Sequence, residues 1–310
     1  MLKEYTQFLF EIKNTYIKVS NRFPFIREVL YISEKFISLF FKNYKPENEW
    51  GFCSQCGKFS RFKYVELVDK GSYIAQSCQW DNQFIRVINV TNSLSCSFCE
   101  AKFRVRCAAQ SLLENSNTSC KSIKELYLTC KKGVKHLDIL ETASIGGIFS
   151  RYNDWNGLVK TEFFDDVDRG KYKNNIRSEN LLRLTFGDET FDIVVALDVL
   201  EHISEPWNAI SEINRVLKTN GIAVITIPID LRNQHTRQLA KEKHGKIYYL
   251  TLPAYHSDPL RNQGSLVFTD FGTDVVNILR EKRYKAYAKE YKSLREKISQ
   301  FVILIEKSQI

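Results

Sequence analysis

The chain has 310 residues, 44% of them apolar, and a formal net charge of +9. Such a length exceeds one typical domain of about 100–200 residues, and that apolar fraction supports a packed core, which excludes wholesale disorder. No run of about 18 uncharged apolar residues occurs: the nearest, VLYISEKFISLFF at 29–41, is broken by Glu34 and Lys35. The opening MLKEYTQFLF lacks the basic start, apolar core and small-residue cleavage site of a secretory signal, so a cytoplasmic protein with no membrane span is expected.

Residues 1–49 carry aromatics at helix-like spacing (Phe8, Phe10, Tyr16, Phe36, Phe40), interrupted by Pro24 and ended near Pro46, and predict a helical arm. Residues 50–108 are cysteine-rich. Cys53-Ser-Gln-Cys56 and Cys96-Ser-Phe-Cys99 are two CxxC pairs, whereas Cys78, Cys107, Cys120 and Cys130 stand alone. A CxxC turn puts two thiolates on one side of a tight loop, and two such turns can close a tetrahedral cage around structural zinc. Gly57 after the first pair suits a zinc knuckle. The pairs are further apart than in the usual ribbon, which predicts a β-rich insertion over 61–90 (RFKYVELV, SYIA, FIRVINV). The alternatives are a redox pair, although no thioredoxin-like pattern surrounds either CxxC, or thiols buried as small apolar groups. Residues 109–132 read as helical connectors, from Leu112, Leu113, Ile123, Leu126 and Leu128.

From 133 to 310 short apolar strands alternate with amphipathic helices, the pattern of an open parallel α/β sheet. VKHLDIL (134–140), GLVKTE (157–162), FDIVVALDVL (191–200) and GIAVITIP (221–228) are the predicted strands, and YKAYAKEY (284–291) with FVILIE (301–306) predicts a closing antiparallel hairpin. Between them Pro206 opens a helix whose apolar face is Ala209, Ile210, Ile213, Val216 and Leu217, and Asn220-Gly221 is expected to cap it. Ligands of such sheets bind at the carboxyl ends of the strands, where FDIVVALDVLEHI delivers Asp198, Glu201 and His202.

The stretch F-D-x-V-x-x-x-D-V-L-E-H-I, followed by E-I-x-R-V-L-K-x-x-G and a strand ending in proline, resembles the class I S-adenosylmethionine (SAM) methyltransferases. The resemblance spans roughly 134–310, is most specific over 177–228, and is nearest to methyltransferase-like proteins with an N-terminal cysteine-rich module and a tail like YHSDPLRNQGSLVFTDFG (255–272). It implies a Rossmann-like seven-stranded sheet, preceded here by the helical arm and a zinc-ribbon-like module, with SAM across the switch point. It also implies cofactor contacts at Asp138, Gly146, Glu162, Asn180, Leu181 and Asp198. Glu162 would take the ribose hydroxyls, or else be a solvated loop acid beside Asp165 and Asp166. Asn180 stands where the family carries aspartate for the adenine amine, and Leu181 would offer its N–H to the ring. The family's glycine-rich loop is replaced by LETASIGG (140–147), so Glu141 either faces the cofactor's amino group or marks a degenerate pocket.

Methyl transfer is an in-line displacement that needs alignment, and a base only where the acceptor must lose a proton. His256 and His202 are the candidates for that base; His202 also reads as a locally bonded helix-entry residue and His136 as structural. The expected activity is methyl transfer to a small-molecule or glycan acceptor, with zinc as scaffold. The alternatives are an RNA methyltransferase, gripping phosphates through the cysteine module and a C-terminal segment that carries five of the nine net positive charges, and a catalytically silent SAM-fold binding protein. Interspersed glutamates and the sparse basic residues of the cysteine module (Arg61, Lys63, Arg104, Arg106) disfavour nucleic acid.

Overall fold

The computed structural model describes residues 48–72, 75–76, 80–256, 258, 260–261, 264–293 and 297–308. The predicted arm lies outside them except for its last two residues, and Cys78 lies outside them altogether. In chain order the elements are β1 (Asn48–Phe52), β2 (Phe59–Lys63), α1 (Asn82–Ser93), β3 (Ser95–Cys96), α2 (Phe103–Asn115), α3 (Ile123–Lys131), β4 (Ile139–Thr142), β5 (Leu158–Glu162), β6 (Tyr172–Lys173), β7 (Ile176–Ser178) and β8 (Phe191–Leu197). A 3-10 turn (Leu200–His202), α4 (Pro206–Val216) and β9 (Leu217–Thr226) follow. Three short ribbons pair β10 (Arg237–Gln238) with β15 (Thr269–Asp270), β11 (Ala240–Lys243) with β12 (Lys246–Tyr249) and β13 (Tyr255–His256) with β14 (Ser265–Leu266). The chain closes with α5 (Val275–Glu281), β16 (Lys285–Lys292) and β17 (Ser299–Glu306).

An eight-stranded sheet of order β16-β17-β9-β8-β4-β5-β7-β6 organises the molecule. Its strands β9, β8, β4, β5 and β7 run parallel, and β16–β17 adds the predicted antiparallel hairpin beside β9. The eighth strand is the two-residue β6, turned back on β7 by Asn174 and Asn175, both at positive φ (50° and 62°) as a tight hairpin turn requires.

Side chains alternate across the sheet with period two, so the strands feed two cores. Ile193, Val195 and Leu197 of β8, with Val224 of β9 and Leu304 of β17, pack in one cluster with Cys53, Phe62, Leu94, Phe103, Leu112 and Leu126. Val194 and Ala196, with Ala223, Ile225 and Ile303, pack in the other with Ile210 and Ile213 of α4 and Leu279 of α5. The cysteine-rich residues and α2–α3 therefore cover one face, and α4–α5 the other. Among the described residues no helix is long and apolar enough to cross a membrane.

Three local expectations need correction. The run FIRVINV is helical, not strand: Asp81 caps α1 by accepting from the Phe84 amide (2.7 Å), and a capped start outweighs the β-branched residues that follow. Helix α4 ends at Val216, with Leu217 already extended; Asn220 (φ 63°) and Gly221 instead form a bulge in β9, where the register against β8 shifts between Phe191 and Ile193. The first strand of the sheet begins at Ile139 rather than Val134 and runs through Glu141.

Candidate active site

Parallel strands place their carboxyl ends together, and the loops leaving β4, β5, β7 and β8 meet at one edge. The first loop, Ala143–Gly147, begins with Ala143 at φ 48°. The Ser144 amide donates to the Thr161 carbonyl (3.2 Å) and the Gly147 amide to the Ser144 carbonyl (3.1 Å). Beneath this loop lies Glu141, 0% exposed, whose two carboxylate oxygens both accept from the Phe149 amide (3.1 Å each). Burial pushes its pKa up to about 8. Glu141 thus turns under its own loop, and its carboxylate does not reach the open side of the edge. A Cβ on Gly147 would collide with that carboxylate, whereas Gly146 (φ 79°) has nothing within 4 Å of where a Cβ would sit. The loop can therefore present backbone to a ligand at Gly146.

Glu162, the last residue of β5, accepts from the Ile145 amide (2.9 Å) and so ties the first loop to the second strand. Burial raises its pKa and nearby Asp258 adds to the rise, against the pull of the Ile145 amide and Arg261. After β7, Asn180 Oδ1 accepts from the Leu182 amide (2.8 Å), which fixes a turn with Leu181 half a step inside the core. Asp198 follows β8 in a left-handed conformation (φ 49°); its amide donates to the Thr226 carbonyl (2.9 Å) and its Oδ1 accepts from the Thr226 hydroxyl (2.7 Å). Its other oxygen is paired with Arg104 of α2, a residue the sequence offered only as one of a few basic side chains.

His202 and His256 meet in space, with ring centroids 5.3 Å apart and planes at 89°. His202 Nδ1 lies 2.9 Å from the Leu266 carbonyl. Burial lowers the pKa of both rings, that of His256 to about 4 with help from His202. Trp80 packs on His256 (6.0 Å between centroids) and on Phe84 of α1. Beside them a shallow cleft is lined by Phe84, Ile88, Asp198, Pro228, Ile229 and Phe301. Asp138 does not belong to this edge. It precedes β4, and its carboxylate binds Lys218 (2.6 Å) at the amino end of the sheet, beside Asp192 at the start of β8, so the expected cofactor contact there is withdrawn.

Residues 160–225, from β5 to the end of the parallel core in β9, match the family described as a methyltransferase domain. This segment is similar to a methyltransferase domain, and the sheet that holds it is an α/β fold of that kind. An uncharacterized protein of Methanocaldococcus jannaschii is 30% identical over 107 residues, 34% of this chain and 47% of that protein, so the chain spans about half the length of the curated relative it matches. Among solved structures, a SAM-dependent methyltransferase of Methanosarcina mazei aligns at 17% identity with a TM-score of 0.34, covering 56% of this chain and 93% of that one. The 1,6-didemethyltoxoflavin-N1-methyltransferase of Burkholderia thailandensis aligns at 13% identity with a TM-score of 0.37, covering 85% of this chain and all of that one.

Outside the eight-stranded sheet, the two CxxC pairs come together. Cys53 Sγ lies 3.6 Å from Cys99 Sγ and Cys56 Sγ lies 3.8 Å from Cys96 Sγ, and all four sulfurs fall within 4.8 Å of one another. A tetrahedral site with Zn–S bonds of about 2.3 Å sets sulfurs roughly 3.8 Å apart, so the cluster fits zinc. Each pair is closed by the same turn: the Gly57 amide donates to the Cys53 carbonyl (2.8 Å), and the Glu100 amide to the Cys96 carbonyl (2.7 Å). Gly57 (φ 73°) and Glu100 (φ 56°) both hold the left-handed conformation that this turn needs. Only the glycine announced that in the sequence. Because the four thiols bond to one another, their shifts divide: Cys56 and Cys96 are lowered while Cys53 and Cys99 are raised.

Proposed function

We propose that this protein transfers a methyl group from SAM to a small-molecule or glycan acceptor held in the cleft between α1 and the ends of β9 and β17. When bound, SAM supplies an electrophilic methyl on a sulfonium whose charge vanishes as the methyl leaves. The protein's own task is to hold and align. Glu162 takes the ribose hydroxyls, Gly146 admits the cofactor to the loop backbone, and Asn180 and Leu181 flank the adenine. Asp198, fixed by Thr226 and Arg104, forms the floor between cofactor and acceptor. The observation that carries this reading is the convergence of Glu162, Asn180 and Asp198, all within the matched segment, on the edge where the Ala143–Gly147 loop opens.

The cleft is shallow and its lining mixes apolar side chains with the polar groups of Thr91, Asn92, Asp198, Ser299 and Gln300, which suits a small polar acceptor. A nucleic-acid acceptor is less well supported. Along the basic C-terminal hairpin Lys285 pairs with Glu306, Lys289 with Glu114 and Lys292 with Glu290, so these cations are already neutralised. The four-cysteine cluster holds zinc as scaffold, distant in role from the transfer.

Calorimetric titration with SAM and with its demethylated product tests the reading. Wild type should bind both in the micromolar range. Glu162→Ala should weaken binding by about 100-fold or more, from two charge-assisted hydrogen bonds of roughly 1.5–3 kcal/mol each. No binding by wild type at millimolar SAM would leave a silent domain in its place.

A further inference from the structure

A second group of side chains at the same edge is not explained by cofactor or acceptor binding. Glu201 and His202 sit in the 3-10 turn beyond β8, and His256 reaches them from β13. One carboxylate oxygen and one nitrogen of each imidazole lie within 4.8 Å of one another. Glu201 is the informative member. Its side chain is 3% exposed, and neither of its oxygens has a hydrogen-bond partner among the described residues. Burying a carboxyl with no partner is costly, and folded proteins satisfy nearly all such groups.

The surroundings of Glu201 supply donors for a cation rather than for a hydrogen bond. His202 Nε2 stands 3.7 Å from Glu201 Oε1, beyond hydrogen-bond range but suited to two ligands of one ion at about 2.0–2.2 Å from each. The Leu266 carbonyl can only accept, so the His202 Nδ1 beside it (2.9 Å) carries the hydrogen and Nε2 keeps its lone pair. This is how ligating histidines are oriented, with the second nitrogen bonded to a carbonyl. The ring of His256 is held from its other side by Trp80, and its strand is fixed by pairing with β14.

We infer that Glu201, His202 and His256 bind a divalent transition-metal ion of the zinc, cobalt or iron(II) class. Two imidazoles and one carboxylate leave open positions on such an ion. The site adjoins the acceptor cleft, since Trp80 touches both His256 and Phe84. On the methyltransferase reading above, an open position would receive a hydroxyl oxygen of the acceptor and lower its pKa, so that its proton passes to water. The oxygen then takes the methyl as the S–CH3 bond breaks and the neutral thioether leaves, which assigns hydroxyl-bearing acceptors and makes a side-chain base unnecessary. Ion binding itself does not depend on that reading.

Metal content per chain by mass spectrometry, after loading with zinc or cobalt(II) and removal of free ion, tests the site in the whole protein. His256→Ala and Glu201→Gln should each hold one ion fewer than wild type, with affinity for that ion reduced at least about 100-fold, more than changes to outer-shell partners cause. Cobalt retained by the variants should show thiolate charge-transfer absorption from the cysteine cluster. Equal metal content in wild type and both variants overturns the site. Glu201→Gln keeps the side chain's shape and removes a buried ionisable group, so it folds even where His256→Ala does not. SAM titration on the same samples separates the two readings: normal SAM binding with equal metal content rejects only the ion, whereas a lost ion without SAM binding in wild type keeps the ion and rejects methyl transfer.

Discussion

Cys53→Ser is expected to lose the ion of the cysteine cluster and to lower the stability of the whole chain, not only of the segment that carries the thiols. The reason is shared packing. Cys53 and Cys96 are 0% and 1% exposed, and they lie in one core with Ile193, Val195 and Val224 of the central strands. Structural zinc contributes about 10–16 kcal/mol to the folding of small zinc-finger peptides, as much as the 5–15 kcal/mol that separates a typical domain from its unfolded state. Losing one thiolate of the cage therefore strips α2 and α3 of their support and exposes one face of the sheet. Zinc content, near-ultraviolet circular dichroism and a thermal melt on wild type and variant provide the check. A variant that keeps the cobalt thiolate absorption and melts with wild type would reduce the cluster to packed thiols.

The sheet was largely legible because its strands obey simple patterns. After Asp192 the run IVVAL is apolar throughout, as a strand buried on both faces must be, and β8 sends Ile193, Val195 and Leu197 into one core and Val194 and Ala196 into the other. Pro206 and the spacing of Ala209, Ile210, Ile213 and Val216 located α4 for equally local reasons. The extent of β4 was harder. A glutamate at the end of an apolar run looks like the place where a strand surfaces, yet Glu141 is buried within β4, so the polar residue nearest the loop was sought too early, at Asp138. The β-branched residues of α1 favour a strand by composition, and the one local signal against it is Asp81, an N-cap residue just before the run. The site's other omissions are contacts between distant parts of the chain. Arg104 meets Asp198 from 94 positions away, and the unpartnered state of Glu201 exists only once β8 and β13 have packed together.

Glu141→Gln is expected to stabilise the protein at alkaline pH and to change it little in acid. In wild type, burial shifts this carboxyl from its ordinary 4.5 to about 8, outweighing the Phe149 amide and the more distant Lys160, which act in the opposite direction. Below pH 4.5 the group is protonated whether the chain is folded or not, and it contributes no pH dependence. Between 4.5 and 8 the folded state binds the extra proton, so stability falls as pH rises, and above 8 the full cost of a buried charge is present. A shift of that size corresponds to about 5 kcal/mol, an upper value because partial opening of the loop would hydrate the charge. Glutamine keeps an oxygen to accept from the Phe149 amide and cannot ionise. Denaturant unfolding at pH 5 and pH 9 should therefore give similar stabilities for the two proteins at the lower pH and a clear advantage for the variant at the higher. The same substitution bears on the loop, because the Glu141 carboxylate fills the space beside Gly147 and fixes Phe149 where the family's glycine-rich turn would stand. A wild type whose stability stays parallel to that of the variant from pH 5 to pH 9 would mean that the carboxyl is hydrated in solution, with the loop standing further from β4 than the 3.1 Å contacts to Phe149 allow.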